Sequence, residues 1–219
     1  MKALVKTAAA AGFTLQDVPV PGIREDEVLI RVKRAGVCGT DVHIHDWDAW
    51  AQGRCRPPFT VGHEFAGEVA EVGRLVSDVK PGDRVTAEGH IVCGRCHLCR
   101  TGNSHVCPNT RIIGVDRDGC FAEYIAMPAT NVWHLDDDVS YEVGGIHDPM
   151  GNAFHTALHG TTMPGATSSI CVPEKASPGR RISSSSGRGI FCSATTRPRA
   201  SSSEPPVSGL KRATIFWFG

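Results

Sequence analysis

Four cysteines in one short segment limit most strongly what this chain can fold into. The segment CGRCHLCRTGNSHVC carries them at Cys93, Cys96, Cys99 and Cys107. Such a group forms disulfides in an oxidising compartment or a metal centre in a reducing one. The N-terminal MKALVKTAAAAGFTLQD has only a short, Ala-rich apolar run, so we expect no signal peptide and a cytoplasmic location. The nine cysteines of the chain should then stay reduced, which favours metal.

The spacing of the four cysteines is typical of a closed zinc site. Two residues separate Cys93 from Cys96 and Cys96 from Cys99, as in a turn that wraps one ion, and Cys107 supplies the fourth ligand. Four thiolates fill a zinc tetrahedron and leave no open position, so the predicted zinc is structural. The alternative is a set of buried or incidental cysteines without metal.

Charge and hydropathy narrow the class of partner. The chain has 23 basic and 23 acidic residues, and this balance argues against a nucleic-acid-binding or membrane-surface protein. No segment approaches the ~18 consecutive apolar residues that a membrane span needs. We therefore expect no nucleic-acid partner and no membrane partner.

Alternating apolar residues predict a mainly β domain over residues 1–159. The strand candidates are 27–37, 64–73, 83–89 and 121–128, with a turn at 80–83. One helix is predicted over 144–159, where Ile146, Met150, Phe154 and Leu158 recur every four residues. Many short strands and few helices indicate a β-rich, partly closed barrel.

The composition changes after about residue 159. Residues 160–219 hold 12 Ser, 7 Gly and 6 Pro, and eight basic residues against two Glu and no Asp give this segment a charge of +6. No helical or strand period continues through it. The segment is predicted to be an irregular, disordered tail.

A second group of candidate ligands lies in AGVCGTDVHI (35–44) and VGHEFAGEVAEVG (61–73). Cys38, His63 and Glu64 offer a thiolate, an imidazole and a carboxylate, and three protein ligands with an open position are typical of catalytic zinc. Adjacent residues of an ideal strand point to opposite faces. His63 and Glu64 can therefore share one ion only at an irregular turn, or one of them lies outside the coordination shell. Packing residues without metal are the alternative.

The segment GHEFAGEVAEVG resembles the GHE-x2-G-x5-G signature of the zinc-containing medium-chain alcohol dehydrogenase family. The four-cysteine loop follows at the expected distance, and the resemblance covers residues 1 to about 159. Segments 38–50, 89–107 and 148–158 are most similar to the branch of this family that oxidises L-threonine. The resemblance implies a GroES-like catalytic domain, two zinc ions per chain (one catalytic, one structural), NAD as cofactor, a small-molecule substrate (L-threonine or a related alcohol) and a homotetramer.

The same resemblance implies roles for individual residues. Cys38, His63 and Glu64 match the catalytic zinc positions, and Thr40 with His43 matches a proton relay. Asp148 matches an acidic residue near the zinc that assists the relay, and whether it or Glu64 is the third ligand stays open. Without the resemblance, Thr40 could merely cap a helix that begins near Asp41, and His43 could be a surface histidine.

The dinucleotide-binding half that the resemblance implies is missing from the sequence as it stands. The nearest approach to G-x-G-x-x-G is SSSSGRGIFC (183–192), where Cys192 stands at the third glycine position. A Ser-rich run read one base earlier would encode apolar residues, which favours a frameshift near 159–165 over a natural tail.

The prediction is therefore an NAD-linked L-threonine dehydrogenase in a truncated, inactive form. Alternatives are a non-catalytic zinc-binding fragment and a dehydrogenase of another secondary alcohol or polyol.

Overall fold

The structure, a computed structural model, describes residues 1–160 and three short strands at 169–170, 182–183 and 215–216. The chain divides into two compact units. The first contains Met1–Asp148 and the strand at 215–216, and the second lies within Pro149–Arg212. Both candidate metal centres predicted from the sequence fall in the first unit.

The first unit is built mainly from short antiparallel strands. Its strands are β1 (Lys2–Lys6), β2 (Thr14–Asp17), β3 (Glu27–Gly36), β4 (Phe59–Thr60), β5 (Glu64–Val72), β6 (Arg84–Ala87), β7 (His90–Ile91), β8 (Arg111–Ile112), β9 (Tyr124–Pro128) and β10 (Val132–His134). The second unit contributes β11 (Ser169–Ile170) and β12 (Ile182–Ser183), and β13 (Ile215–Phe216) belongs to the first.

The helices are few and short. They are α1 (Gly39–Asp46), α2 (Ala49–Arg54), α3 (His97–Arg100), α4 (Tyr141–Gly144) and α5 (His147–Gly160), with single 3₁₀ turns at Ser104–Val106 and Ala129–Asn131. In α1 and α2 the side chain of an N-cap residue accepts a backbone N–H of the first turn, which satisfies a donor that has no partner within the helix.

Strand β3 is the centre of the main sheet, whose order is β10-β6-β5-β3-β13 with β9 also paired to β3. Its first four residues are buried, and its two edges pair with β5 and with β9. The β3–β5 register shifts twice, between Leu29 and Ile30 and between Val32 and Arg34. Such irregularities bend and twist a strand pair, and the sheet accordingly curls into a half-barrel around an apolar core.

Two glycines of the GHE-x2-G-x5-G segment are required by this packing. Gly67 pairs with Val32 at the second register shift, where a Cβ would lie 2.3 Å from the Arg31 carbonyl oxygen. Gly62 has a φ of +91°, and its Cβ would lie 2.2 Å from the ring of Phe121. The signature therefore encodes close backbone approach as well as candidate ligands.

The prediction of a mainly β, partly closed barrel is confirmed, and all four predicted strands contain an observed one. The predicted helix over 144–159 is wrong at its start. Gly144 ends α4, Gly145 is its C-cap, and α5 begins at His147. Ile146 consequently lies between two helices, and Phe154 is 37% exposed.

The prediction of a disordered or frameshifted tail over 160–219, including the segment 183–192, lies outside the described residues except for Gly160 and the three short strands. Among the described helices, none combines the length and the apolar character needed to cross a membrane.

Candidate metal centres

The first candidate centre begins at the N-terminus of α1, where Cys38 is the N-cap. Its Sγ accepts the Thr40 backbone N–H at 3.3 Å, and the Asp41 carboxylate accepts the Cys38 N–H at 2.9 Å. This reciprocal pair is a capping box, which fixes the thiol at the helix terminus. The alternative in which Thr40 caps the helix is wrong, because Cys38 occupies that position.

The turn before β5 brings His63 and Glu64 to the same place. Gly62 adopts its positive φ immediately before His63, and the strand starts only at Glu64. His63 is therefore outside the regular alternation of the strand, as the sharing of one ion requires. Both side chains are buried.

Cys38, His63 and Glu64 form a compact donor set. Cys38 Sγ lies 3.0 Å from His63 Nε2, and one ligand atom from each of the three residues lies within 4.8 Å of the others. Burial raises the pKa of the Glu64 carboxyl, and the neighbouring Asp148 carboxylate raises it further against the opposing effect of His63. A cation at this point would offset the cost of ionising these buried groups, so the residues fit a zinc ion with an open position.

Asp41 is a residue of this centre to which the sequence analysis assigned no role. It is 2% exposed, and its Oδ1 lies 3.8 Å from His63 Nδ1. Neither of these two buried atoms has a hydrogen-bond partner among the described residues. A carboxylate beside the remote nitrogen of a ligating histidine is the usual way to fix its orientation. The three-residue spacing from Cys38, typical of a capping box, was the signal that could have found it.

A third group of potential ligands lies nearby and includes Asp148. Ligand atoms of Glu88, His90 and Asp148 lie within 4.8 Å of one another. His90 Nδ1 is 2.6 Å from Glu88 Oε1, and this bond is the main cause that raises the pKa of His90. Burial, followed by the Glu88 carboxylate, raises the pKa of Asp148. The sequence analysis placed Asp148 near the zinc and gave His90 no role, whereas the structure puts them together.

Thr40 and His43, the predicted relay residues, lie on α1 three positions apart. Residues at this spacing share a helix face. The His43 side chain is 57% exposed and its Nδ1 lies 2.5 Å from Asp48 Oδ2. The pair thus extends from the capped end of α1, beside Cys38, to an imidazole that reaches solvent.

The second candidate centre is the four-cysteine loop. One ligand atom each of Cys93, Cys96, Cys99 and Cys107 lies within 4.8 Å of the others. The Cys96–Cys107 and Cys107–Cys93 sulfur distances are 3.9 and 3.6 Å. These separations are far from the ~2.05 Å of a disulfide. They match the edge of about 3.8 Å of a tetrahedron with Zn–S bonds of about 2.3 Å.

The electrostatics of this loop also fit a metal. Backbone N–H groups of Arg95 and Cys96 lower the pKa of the Cys93 thiol to about 6. Burial and the thiols of Cys96 and Cys107 raise the pKa of Cys99 to about 12. One thiolate therefore forms readily while another is suppressed by its neighbours, and a cation among the four would relieve that suppression.

Comparison with known proteins places this architecture in one family. Residues 24–137 match the model of the alcohol dehydrogenase GroES-like domain. The chain is 54% identical over 160 residues to the L-threonine 3-dehydrogenase of Symbiobacterium thermophilum, covering 73% of this chain and 46% of that protein. It is 53% identical over 162 residues to the enzyme of the same name from Bacillus licheniformis, covering 74% and 47%. The chain therefore spans about half the length of these curated relatives.

Solved structures show the same likeness. Galactitol-1-phosphate dehydrogenase from Escherichia coli is 33% identical with a TM-score of 0.65, covering 72% of this chain and 45% of that one. A short chain alcohol dehydrogenase from E. coli CFT073, complexed with NADH, is 31% identical with a TM-score of 0.66, covering 73% and 45%. A cobalt- and zinc-bound alcohol dehydrogenase from Pyrobaculum aerophilum is 30% identical with a TM-score of 0.65, covering 74% and 49%.

Proposed function

This chain belongs to the zinc-containing alcohol dehydrogenase family with a GroES-like domain, and we propose that it supplies the metal-binding catalytic half of an NAD-dependent L-threonine 3-dehydrogenase. The reaction would oxidise L-threonine to 2-amino-3-oxobutanoate. The observation that carries this proposal is the convergence of Cys38, His63 and Glu64 beside the capped end of α1, in a chain that is 54% and 53% identical over 160 and 162 residues to two enzymes of that name.

The proposed mechanism assigns a role to each residue of the first centre. Cys38, His63 and Glu64 hold a zinc ion, and Asp41 orients His63 from behind. When bound, zinc supplies Lewis acidity to the substrate hydroxyl, and NAD supplies the hydride acceptor. The Thr40 hydroxyl and the His43 imidazole carry the released proton away from the buried centre. His43 can deliver it to water because its side chain is exposed.

Asp148 forms a cluster with Glu88 and His90 beside this centre. Two carboxylates and a histidine around one space favour a cationic or polar group there, and the ammonium group of L-threonine is such a group. In the proposal, Asp148 assists substrate placement and the relay without being a required ligand. The second zinc belongs to the four-cysteine loop, where it stabilises the fold and touches no substrate.

A second candidate is oxidation of a polyol phosphate, which the structural similarity to galactitol-1-phosphate dehydrogenase favours. The homotetramer implied by the resemblance also stays a proposal.

We expect the 219-residue polypeptide alone to show no threonine-dependent NAD reduction. Its first 160 residues contain no Gly-x-Gly-x-x-Gly turn, and without a bound, oriented nicotinamide the positional advantage of the site is lost.

A chimeric enzyme tests the proposed function. Residues 1–158 would be joined to the remaining half of the Symbiobacterium thermophilum relative, and NADH formation would be measured with L-threonine and with galactitol 1-phosphate. Turnover of threonine is expected, with loss of at least about 10²-fold in His63→Asn, because the Lewis acidity of a bound zinc contributes several kcal/mol. His134→Asn, at an exposed histidine outside the donor groups, is the matched control. Turnover of the polyol phosphate instead would replace the proposal, and equal effects of the two variants would remove His63 from the mechanism.

A further inference from the structure

The Asp48 carboxylate is hydrogen-bonded to His43, the outer residue of the proposed relay. His43 Nδ1 lies 2.5 Å from Asp48 Oδ2, and the Trp50 ring lies beside the imidazole with centroids 6.0 Å apart. The other carboxylate oxygen of Asp48 accepts the Ala51 N–H at 3.0 Å as the N-cap of α2. Asp48 is therefore held by a helix terminus while it contacts His43.

The backbone turns sharply between His43 and Asp48, at the end of α1. Trp47 ends α1 in the left-handed conformation, with φ 53° and ψ 47°, and is the one non-glycine residue of the described chain with a positive φ. A bulky residue in this region is strained and needs support from its surroundings. The Lys6 ammonium supplies it, lying 4.9 Å from the Trp47 ring centroid and donating to the His45 carbonyl at 3.3 Å.

The neighbouring histidine on α1 shows why the cap matters. His45 Nδ1 lies 2.8 Å from Asp46 Oδ1, also between exposed side chains, but that pair joins consecutive residues. Exposed ion pairs contribute little, because both side chains must be ordered when they form. The Asp48 carboxylate is ordered in advance by the Ala51 N–H and by the turn at Trp47.

An ionised carboxylate can only accept hydrogen bonds, so the proton in this contact must lie on His43 Nδ1. A neutral imidazole with its proton on Nδ1 has a free lone pair on Nε2. We propose that Asp48 is a positioning residue that holds neutral His43 in the Nδ1–H form, so that Nε2 is the atom that accepts the relayed proton. The catalytic meaning of this inference rests on the proposed function, whereas the tautomer itself does not.

The test is ¹⁵N NMR of the histidine side chains in the 219-residue chain, at a pH about two units above the ordinary histidine pKa of about 6.5. Three variants separate capping from contact with His43. Asp48→Ser keeps a good N-cap and loses the carboxylate, Asp48→Asn keeps both the cap and an acceptor oxygen, and Asp46→Ser removes the neighbouring carboxylate.

The expected result is an Nδ1–H signature for His43 in the wild type, in Asp48→Asn and in Asp46→Ser. In Asp48→Ser the Nδ1–H signature should be lost in favour of the Nε2–H form. A wild-type His43 in the Nε2–H form would overturn the proposal even if no variant folded, and so would an unchanged tautomer in a folded Asp48→Ser. The measurement needs neither zinc nor NAD, so its failure is distinct from failure of the chimeric enzyme.

Discussion

The two candidate metal centres differ in the sequence spacing, the burial and the number of their donor residues. The four-cysteine loop draws its donors from 15 consecutive residues, of which Cys93, Cys96 and Cys99 are half-buried and Cys107 is buried. The Cys38 centre draws on residues 25 positions apart, and its His63 and Glu64 are buried. Four thiolates close the first site, whereas three donors leave the second open. The first is suited to bracing a loop with few apolar contacts, and the second to holding a reacting molecule.

The largest difference is expected when one thiol is removed from each centre. Cys96→Ser should lower the free energy of unfolding by more than about 3 kcal/mol, because metal binding at a closed site is folding energy. Cys38→Ser should lower it by less than Cys96→Ser does, because serine is also a good N-cap and only the binding energy of the weaker, open site is lost. Chemical denaturation with zinc bound measures both, and zinc lost from Cys96→Ser without loss of stability would contradict the structural role.

The buried centre should instead depend on the turn that presents His63. Gly62→Ala should destabilise the chain by about 2–4 kcal/mol, because it combines a positive φ with overlap of the Phe121 ring. Gly82→Ala is the control, since Gly82 has a φ of +94° and open space around its Cβ position. Its cost should be about 1–2 kcal/mol. Equal thermal shifts in the two variants would show that the Phe121 contact contributes nothing.

A conservative substitution at Asp41 should change the zinc affinity of one centre and leave that of the other unchanged. Asp41→Asn should weaken zinc binding at the Cys38 centre by about 10–100-fold, because the buried carboxylate beside His63 is neutralised. Binding at the four-cysteine loop should not change. Competition with a chromogenic chelator resolves the two affinities, and a single unchanged binding curve would argue against the orienting role of Asp41.

The smallest expected effect concerns a link between the two regions. Arg54 of α2 forms a two-pronged contact with Asp116, which also accepts the Ile112 N–H after the four-cysteine loop. Burial opposes ionisation of Asp116, but the Arg54 and Ile112 hydrogen bonds outweigh it and lower its pKa.

A lowered carboxyl pKa in the folded state stabilises the protein above the unfolded pKa, and this contribution is lost as pH falls through the folded value. Asp116→Asn should therefore cost up to about 1 kcal/mol at neutral pH, since the Arg54 side chain is 40% exposed. The difference from the wild type should shrink on acidification below pH 4. Urea denaturation across this range measures it, and a difference that grew toward acid would reverse the sign of the argument.

The sequence predicted the closed centre more fully than the open one, for a physical reason. Donors that are close along the chain, such as Cys93 and Cys96, need only a turn to meet, so their spacing suffices. The convergence of Cys38 with His63 depends on β3 and β5 pairing with two register shifts, which a motif does not reveal. His90 had no motif at all, and its neighbours Glu88 and Asp148 come from segments 60 residues apart.

The helix boundary near residue 145 failed on similar grounds. The four-residue repeat from Ile146 to Phe154 predicted one continuous helix. Gly144 and Gly145 instead end α4. Gly144 also packs so closely that a Cβ on it would lie 2.6 Å from the Leu135 side chain, and this tertiary contact is not encoded in the local periodicity.

Zinc content after graded chelation tests the central claim most directly. The purified 219-residue chain should contain two equivalents of zinc. One should leave at low chelator concentration and be absent from Cys38→Ser, and the other should leave only as the chain unfolds and be absent from Cys96→Ser. A single equivalent, or two that leave together and are lost together in either variant, would contradict the division into an open and a closed centre.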